Sequence, residues 1–94
     1  MNTSVSPDTP LSRNQHVVTT EVDGELMMMS VEEGFYYNLD PIASEIWNLL
    51  EVDRNAEQIC DQMMKRYDVD RNQCLNDITT FLTEMIEEKL IHVA

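Results

Sequence analysis

Residues 17–41 read VVTTEVDGELMMMSVEEGFYYNLDP and decide the first half of the fold. Three runs in this stretch are rich in β-branched, long apolar or aromatic side chains, which favour strands. The three runs are residues 17–21, 26–30 and 35–39. Asp23-Gly24 is a strong hairpin signal, because a type I′ turn needs a positive φ at both central positions, and Gly34 suits a second tight turn. The stretch therefore predicts a three-stranded antiparallel meander.

Helix signals follow the meander. Asp40-Pro41 combines an N-cap residue with a first-turn proline, and Asn55 can cap a second helix. Apolar side chains then recur at helical spacing in three segments. The predicted helices run from residue 41 to about 52, from 56 to about 67 and from about 71 to 89, and residues 90–93 form a short extended segment that folds back. The predicted fold class is α+β, with the order βββααα.

The length of 94 residues corresponds to one small domain. Residues 1–15 are rich in Ser, Thr, Asn and Pro, so we expect a flexible N-terminal arm followed by one folded domain over residues 16–94. An arm that a partner orders is the alternative. There is no run of about 18 apolar residues and no basic, apolar signal sequence, which favours a cytoplasmic protein. Cys60 and Cys74 lie on apolar helix faces, so we expect two buried, reduced thiols.

The net charge argues against two classes of partner. The chain carries 18 acidic and 6 basic residues, a formal charge of −12. Affinity for nucleic acids comes largely from Lys and Arg that neutralise phosphates, and anionic membranes attract basic segments for the same reason. The sequence therefore predicts neither a nucleic-acid partner nor a membrane partner.

Motifs for catalysis or metal binding are weak. The segment 68–72 begins like a calcium loop, but Gln73 stands at the position that needs Gly, and Thr79 at the position that needs Glu. The two Cys and two His residues are scattered, without the close pairs of a zinc site. We find no nucleophile beside a base and no Gly-rich phosphate loop. The sequence therefore predicts no enzyme, no catalytic residue, no metal and no cofactor.

The third predicted strand and the third predicted helix together indicate a groove. A strand at a sheet edge leaves N–H and C=O groups open for pairing with another chain. The helix carries two adjacent apolar stripes, of which one suffices for a small core and the second can line a groove. An edge strand beside an apolar groove captures an extended peptide by β-augmentation. The alternative is that the aromatic side chains and the second stripe complete the core.

Several motifs, in order and spacing, resemble the PqqD-like family. They are VDGE (22–25), EGFYYNLD (33–40), IWNLL (46–50) and YDVD (67–70), followed by Cys74, Asp77, Ile78, Phe81, Leu82, Leu90 and Ile91. The resemblance covers about residues 16–94 and is greatest to the free-standing members of lasso-peptide clusters. These proteins are also called recognition elements of ribosomally made, post-translationally modified peptides.

The resemblance implies a small winged-helix-like domain that is not an enzyme. Such domains bind the leader segment of a precursor peptide as an added strand against the third strand, packed on the third helix. They then present the peptide to a maturation enzyme, which is a leader peptidase in lasso clusters and a radical enzyme in quinone-cofactor clusters.

Residue by residue, the resemblance assigns a peptide-binding site. The third predicted strand would pair its backbone with the leader, and the third predicted helix would form the far wall. The site comprises Phe35, Tyr36, Tyr37, Asn38 and Leu39 on the strand, and Cys74, Asp77, Ile78, Phe81 and Met85 on the helix. Ala43 and Lys89 depart from the family pattern, since Gly is frequent at both positions. Both departures concern helix ends and packing more than peptide binding.

Two further expectations concern partners. A structural subunit that dimerises through the third predicted strand is the alternative function, because two copies can close a sheet across a two-fold axis. Residues 17–40 carry six acids and no base, so we expect an acidic rim around an apolar slot and a ligand that is neutral to basic.

Overall fold

A computed structural model describes residues 5–23, 25–31 and 34–94 of the chain. The elements in this part of the chain are β1 (Leu11–Arg13), β2 (Val17–Val22), β3 (Glu25–Ser30), β4 (Phe35–Leu39), α1 (Pro41–Leu49), α2 (Ala56–Met64), α3 (Arg71–Glu87) and β5 (Ile91–Val93). Strands β2, β3 and β4 form an antiparallel sheet in that order, and β1 pairs with β5. The predicted α+β class, with a three-stranded meander and three helices, is confirmed; the likeness to a winged helix is loose.

Both hairpins of the meander form where the sequence predicts them. Val22 lies opposite Glu25, which leaves a two-residue loop, and Asp23 has a φ of 53° as a type I′ turn requires. The second half of that turn, Gly24, lies outside the described residues, as do Glu32 and Glu33 of the next turn. Gly34 has a φ of 73° and donates its N–H to the Ser30 carbonyl at 2.8 Å.

Each helix begins at a side-chain cap. Asp40 accepts from the Ala43 N–H at 2.8 Å, and Asp70 accepts from the N–H of Gln73 at 3.2 Å. Asn55 and Gln58 form a reciprocal capping box. The helices end slightly earlier than predicted, because their last turns tighten into i→i+3 bonds such as Lys65 N–H to the Gln62 carbonyl.

The N-terminal segment differs from the expected flexible arm. Residues 11–13 form β1, paired with β5, and the Leu11 side chain is fully buried. The Arg13 guanidinium lies 4.6 Å from the centroid of the Trp47 ring and donates two hydrogen bonds to the Trp47 carbonyl, at 2.5 and 3.1 Å. A single apolar residue gives no periodic signal, and its partner strand lies at the other end of the chain, so local sequence could not predict this strand.

The core lies between the meander and the three helices. Met28 on β3 is fully buried, whereas Met27 and Met29 are half-buried on the opposite face of the sheet, as strand alternation requires. Cys60 and Cys74 are free and buried, as expected. Among the described residues, no helix has the length and apolar character needed to cross a membrane.

Lys89 occupies the position after α3 where a left-handed residue is required. Its φ is 62°. The Lys89 N–H donates to the Ile86 carbonyl, and the Leu90 N–H donates to the Met85 carbonyl, both at 2.9 Å. These two hydrogen bonds form a Schellman motif. We expect Lys89→Gly to raise the free energy of unfolding by up to about 1 kcal/mol, because Gly avoids the left-handed penalty. Urea denaturation measures the change; Lys89→Ala, which keeps the Cβ, is the control and should show no gain.

Candidate functional site

Strand β4 is an edge strand of the meander, with β3 as its neighbour on one side only. The register determines which of its backbone groups are free. The Val31 N–H donates to the His16 carbonyl on the β2 side at 3.3 Å. The backbone N–H and C=O groups of the alternate residues Met29 and Met27 therefore also point toward β2. Their neighbours Ser30, Met28 and Leu26 must therefore point their backbone groups toward β4.

The free edge of β4 consequently consists of the backbone of Tyr36 and Asn38. Ser30, Met28 and Leu26 pair with Phe35, Tyr37 and Leu39, which places those three β4 residues in the ladder. The N–H and C=O groups of Tyr36 and Asn38 face away from the sheet, and no backbone bond outside the ladder engages them within the described residues. This edge is a ready template for an added strand.

Side chains on β4 alternate between the two faces of the sheet. Tyr37 and Leu39 lie on the face that packs on the helices, half-buried and buried respectively. Tyr36 lies on the other face and is 71% exposed. Phe35 is on the inner face but stands near the turn, 58% exposed, and lines neither of the cavities described next.

A cavity of about 330 Å³ separates β4 from the second half of α3, and we call it the β4–α3 cavity. Leu39, Met85 and Leu90 form its buried apolar part. The Tyr37 hydroxyl donates to a Glu88 carboxylate oxygen at 2.8 Å, which fixes the ring between strand and helix. The lining residues are Tyr36, Tyr37, Asn38, Leu39, Phe81, Glu84, Met85, Glu88 and Leu90.

A second cavity, of about 350 Å³, lies between α1 and the first half of α3; we call it the α1–α3 cavity. Its floor consists of buried apolar side chains from all three helices, Ala43, Ile46, Met63, Cys74 and Ile78. Its rim includes Asp40, Ile42, Tyr67, Val69, Gln73, Asp77 and Phe81. The cavity is large enough for an aromatic or branched aliphatic side chain of a ligand.

Phe81 lines both cavities, so they form one groove along α3 with this ring between them. Nine of the ten residues predicted for the site line the groove, and Phe35 does not. Sequence reasoning missed the contribution of α1 and of Tyr67 and Val69. Ile42 and Ala43 follow shortly after the edge strand, but only the placement of α1 across the cavity from α3 brings them to the groove.

Tyr67 is held in the wall of the α1–α3 cavity by an acid on α1. Its hydroxyl donates to Glu45 Oε1 at 3.0 Å, and Arg66 lies 3.4 Å from the same oxygen. The hydrogen bond to Glu45 raises the pKa of the Tyr67 phenol, with a smaller contribution from burial. The other Glu45 carboxylate oxygen is buried and makes no hydrogen bond to the described residues. A neutral phenol is therefore a fixed donor, and its ring is a rigid part of the wall.

The Cys74 side chain contributes apolar surface to the floor of the groove. Burial, together with a hydrogen bond that the Cys74 thiol donates to Cys60, raises the pKa of the Cys74 thiol to about 11. The thiol is therefore protonated at neutral pH and is a poor nucleophile. Among the described residues, no group of three Cys, His, Asp or Glu side chains is arranged to hold a metal ion.

The groove is lined by acidic side chains, but most of them are not the ones that the sequence predicts. Of the six acids in residues 17–40, four are in the described part of the chain, and among these only Asp40 lines a cavity. The other lining carboxylates, Asp77, Glu84 and Glu88, come from α3, and no Lys, Arg or His lines either cavity within the described residues. The expected acidic rim exists mainly on the helix rather than on the sheet.

Comparison with known proteins connects this geometry to a family. The sequence model of the family described as Coenzyme PQQ synthesis protein D (PqqD) matches residues 25–91. The solved structure of TbiB1 in complex with the TbiA(beta) leader peptide is 31% identical, with a TM-score of 0.80, covering 86% of this chain and 94% of that chain. None of the curated proteins matches this chain.

Two more distant structures share the fold. Lasso peptide synthetase B1, complexed with the leader peptide, is 18% identical with a TM-score of 0.76, covering 87% of this chain and 96% of that chain. The PqqD truncation of Methylobacterium extorquens PqqCD, described as a functional and stand-alone recognition element, is 17% identical with a TM-score of 0.80, covering 96% of both chains.

Proposed function

The chain belongs to the PqqD family, and from that membership we propose that it is a non-catalytic recognition domain for the leader segment of a ribosomally made precursor peptide. It would act in the cytoplasm and deliver the bound peptide to a maturation enzyme, a leader peptidase or a radical enzyme. The observation that carries the proposal is the free edge of β4 alongside an apolar groove.

Binding would occur by β-augmentation. A strand added to β4 exchanges hydrogen bonds with Tyr36 and Asn38, the two residues whose backbone groups face outward. Side chains of the added strand that lie opposite Tyr37 and Leu39 share their face of the sheet and therefore point at α3. The leader would consequently place apolar anchors at alternate positions into the β4–α3 cavity.

The α1–α3 cavity would hold the part of the leader that continues past the end of β4. Asp40, the residue after the strand, lines this cavity together with Ala43 and Phe81. A further large apolar side chain there would bury surface against Ile46 and Ile78. With two cavities along one groove, this small domain would hold an extended segment at two positions. The free peptide would therefore need no fixed conformation before it binds.

The direct test is a titration of the isotope-labelled protein with the leader segment of the precursor peptide encoded beside its gene. We expect chemical-shift changes at residues 35–39 and along α3, and slowed hydrogen exchange of the Tyr36 and Asn38 amides, because those N–H groups become hydrogen-bonded. Saturating leader without changes at these residues would contradict the proposal.

Sedimentation of the free protein separates this function from dimerisation through the same edge. A leader-binding edge is open in the free protein, so we expect a monomer or a weak dimer that the leader dissociates. A tight dimer that persists with saturating leader would favour a structural subunit instead.

A further inference from the structure

We infer that the groove selects leaders with Lys or Arg side chains beside their apolar anchors, and that Asp77 and Glu84 are the specificity-determining carboxylates. This inference rests on the proposed peptide-binding function and specifies the chemistry of the ligand. It also assigns the selectivity to α3 rather than to the acids of the sheet.

Among the described residues, the charged groups that line the groove all have negative charge. Asp40 and Asp77 line the α1–α3 cavity, and Glu84 and Glu88 line the β4–α3 cavity, so two carboxylates flank Phe81 on each side. A bound peptide that covers the apolar floor would displace water from it, which would strengthen a charge interaction at its border.

The arginines of the chain do not offset these acids, because internal contacts hold them elsewhere. Arg66 lies beside Glu45, and Arg71 pairs with Asp61 on α2 at 2.6 Å. Arg54 donates to the Leu49 carbonyl at 2.7 Å, and Arg13 donates to the Trp47 carbonyl. None of these four side chains lines either cavity.

Two of the four lining carboxylates already have structural tasks. Asp40 caps α1, and Glu88 accepts the Tyr37 hydroxyl. Within the part of the chain that the structure describes, Asp77 accepts only from the Gln73 side-chain amide, at 3.0 and 3.2 Å, and no cation offsets its charge. Glu84 is exposed and makes no side-chain hydrogen bond or ion pair with the described residues. Asp77 and Glu84 are therefore the carboxylates open to a ligand.

The spacing of these two acids sets an expected spacing in the ligand. Seven residues of helix separate Asp77 from Glu84, a rise of about 10 Å along the axis, and both side chains line the groove. An extended peptide advances about 3.3 Å per residue. Because alternate side chains of a strand share a face, two basic residues four positions apart, about 13 Å, would point at α3 together, and their long side chains would reach both carboxylates at once.

The test uses three blocked synthetic peptides of about twelve residues with identical apolar residues at alternate positions. They differ only at two positions, four apart and in the same alternation as the apolar residues so that both side chains face α3, and these two positions carry Lys, Ser or Glu. At low salt, about 20 mM, we expect the Lys peptide to bind about tenfold more tightly than the Ser peptide and the Glu peptide to bind more weakly. At about 500 mM salt the differences should shrink to about twofold, because the Debye length falls to a few ångströms.

Matched variants locate the effect. In Asp77→Asn/Glu84→Gln the preference for Lys should fall to about twofold at low salt, whereas Glu21→Gln, on the opposite edge strand, should keep it. Equal binding of all three peptides with shifts at Tyr36 and Asn38 would overturn the charge inference and leave the proposed function intact. Binding of none of them would count against the proposed function itself, since their apolar anchors are the same.

Discussion

Asn38→Pro should fold like the parent protein and lose at least about 30-fold in affinity for the leader. The Asn38 N–H faces away from β3, so a proline there removes no bond of the sheet, and proline is tolerated on edge strands for this reason. The same ring removes one hydrogen bond to the added strand and leaves a carbonyl of the peptide unpaired, a loss of about 2–4 kcal/mol in binding free energy. Isothermal titration measures the affinity, and urea denaturation verifies the fold.

Thr19→Pro is the matched control for this variant. Thr19 lies on β2, the opposite edge strand, and its N–H also faces away from β3 because Val18 and Thr20 pair with Met29 and Met27. It should show the same tolerance in folding and unchanged affinity. A loss of affinity in both variants, or in neither, would show that the leader does not use the free edge of β4.

Phe81→Ala is expected to reduce leader affinity by about 30-fold, through side-chain packing rather than hydrogen bonds. The ring lines both cavities, so its removal merges them and takes away one wall from each anchor of the peptide. The loss corresponds to about 2 kcal/mol, which is about half of the cost of deleting a fully buried Phe side chain. Isothermal titration measures the affinity of the variant.

Ile86→Ala is the comparison for Phe81→Ala, since it also truncates a half-buried side chain that packs against the core from α3. It lines neither cavity. Both variants should lower the free energy of unfolding, but only Phe81→Ala should weaken binding. Equal losses of affinity would mean that general destabilisation, and not the groove, determines the result.

Much of the fold follows from short-range signals in the sequence. Asp23, Gly34 and the caps at Asp40 and Asn55 each determine the conformation of a few neighbouring residues, and each is found where the sequence predicts it. Alternation along the strands and the spacing of apolar residues along the helices also depend on neighbours within a few positions. Such signals are sufficient for the order of elements and for the α+β class.

The site was only partly predictable. Its ten predicted residues came from the family resemblance, and their role in peptide binding stays a prediction. The structure brings nine of them to one groove, but it adds Ala43 and Tyr67 and leaves Phe35 outside. No periodicity in α1 indicates that this helix would also face the first half of α3 across a cavity.

The sequence by itself determined the three-stranded meander, the three helices, their caps and turns, and a net charge of −12. Only the tertiary structure decided that Leu11 belongs to a strand with the C-terminal residues, that Tyr36 and Asn38 carry the open backbone groups, and that Asp77 and Glu84 supply the open charge of the groove. Turn and helix preferences depend on interactions among a few neighbouring residues of the chain. Strand register and the packing of helices depend on contacts between residues far apart in the chain, which exist only after the chain has folded.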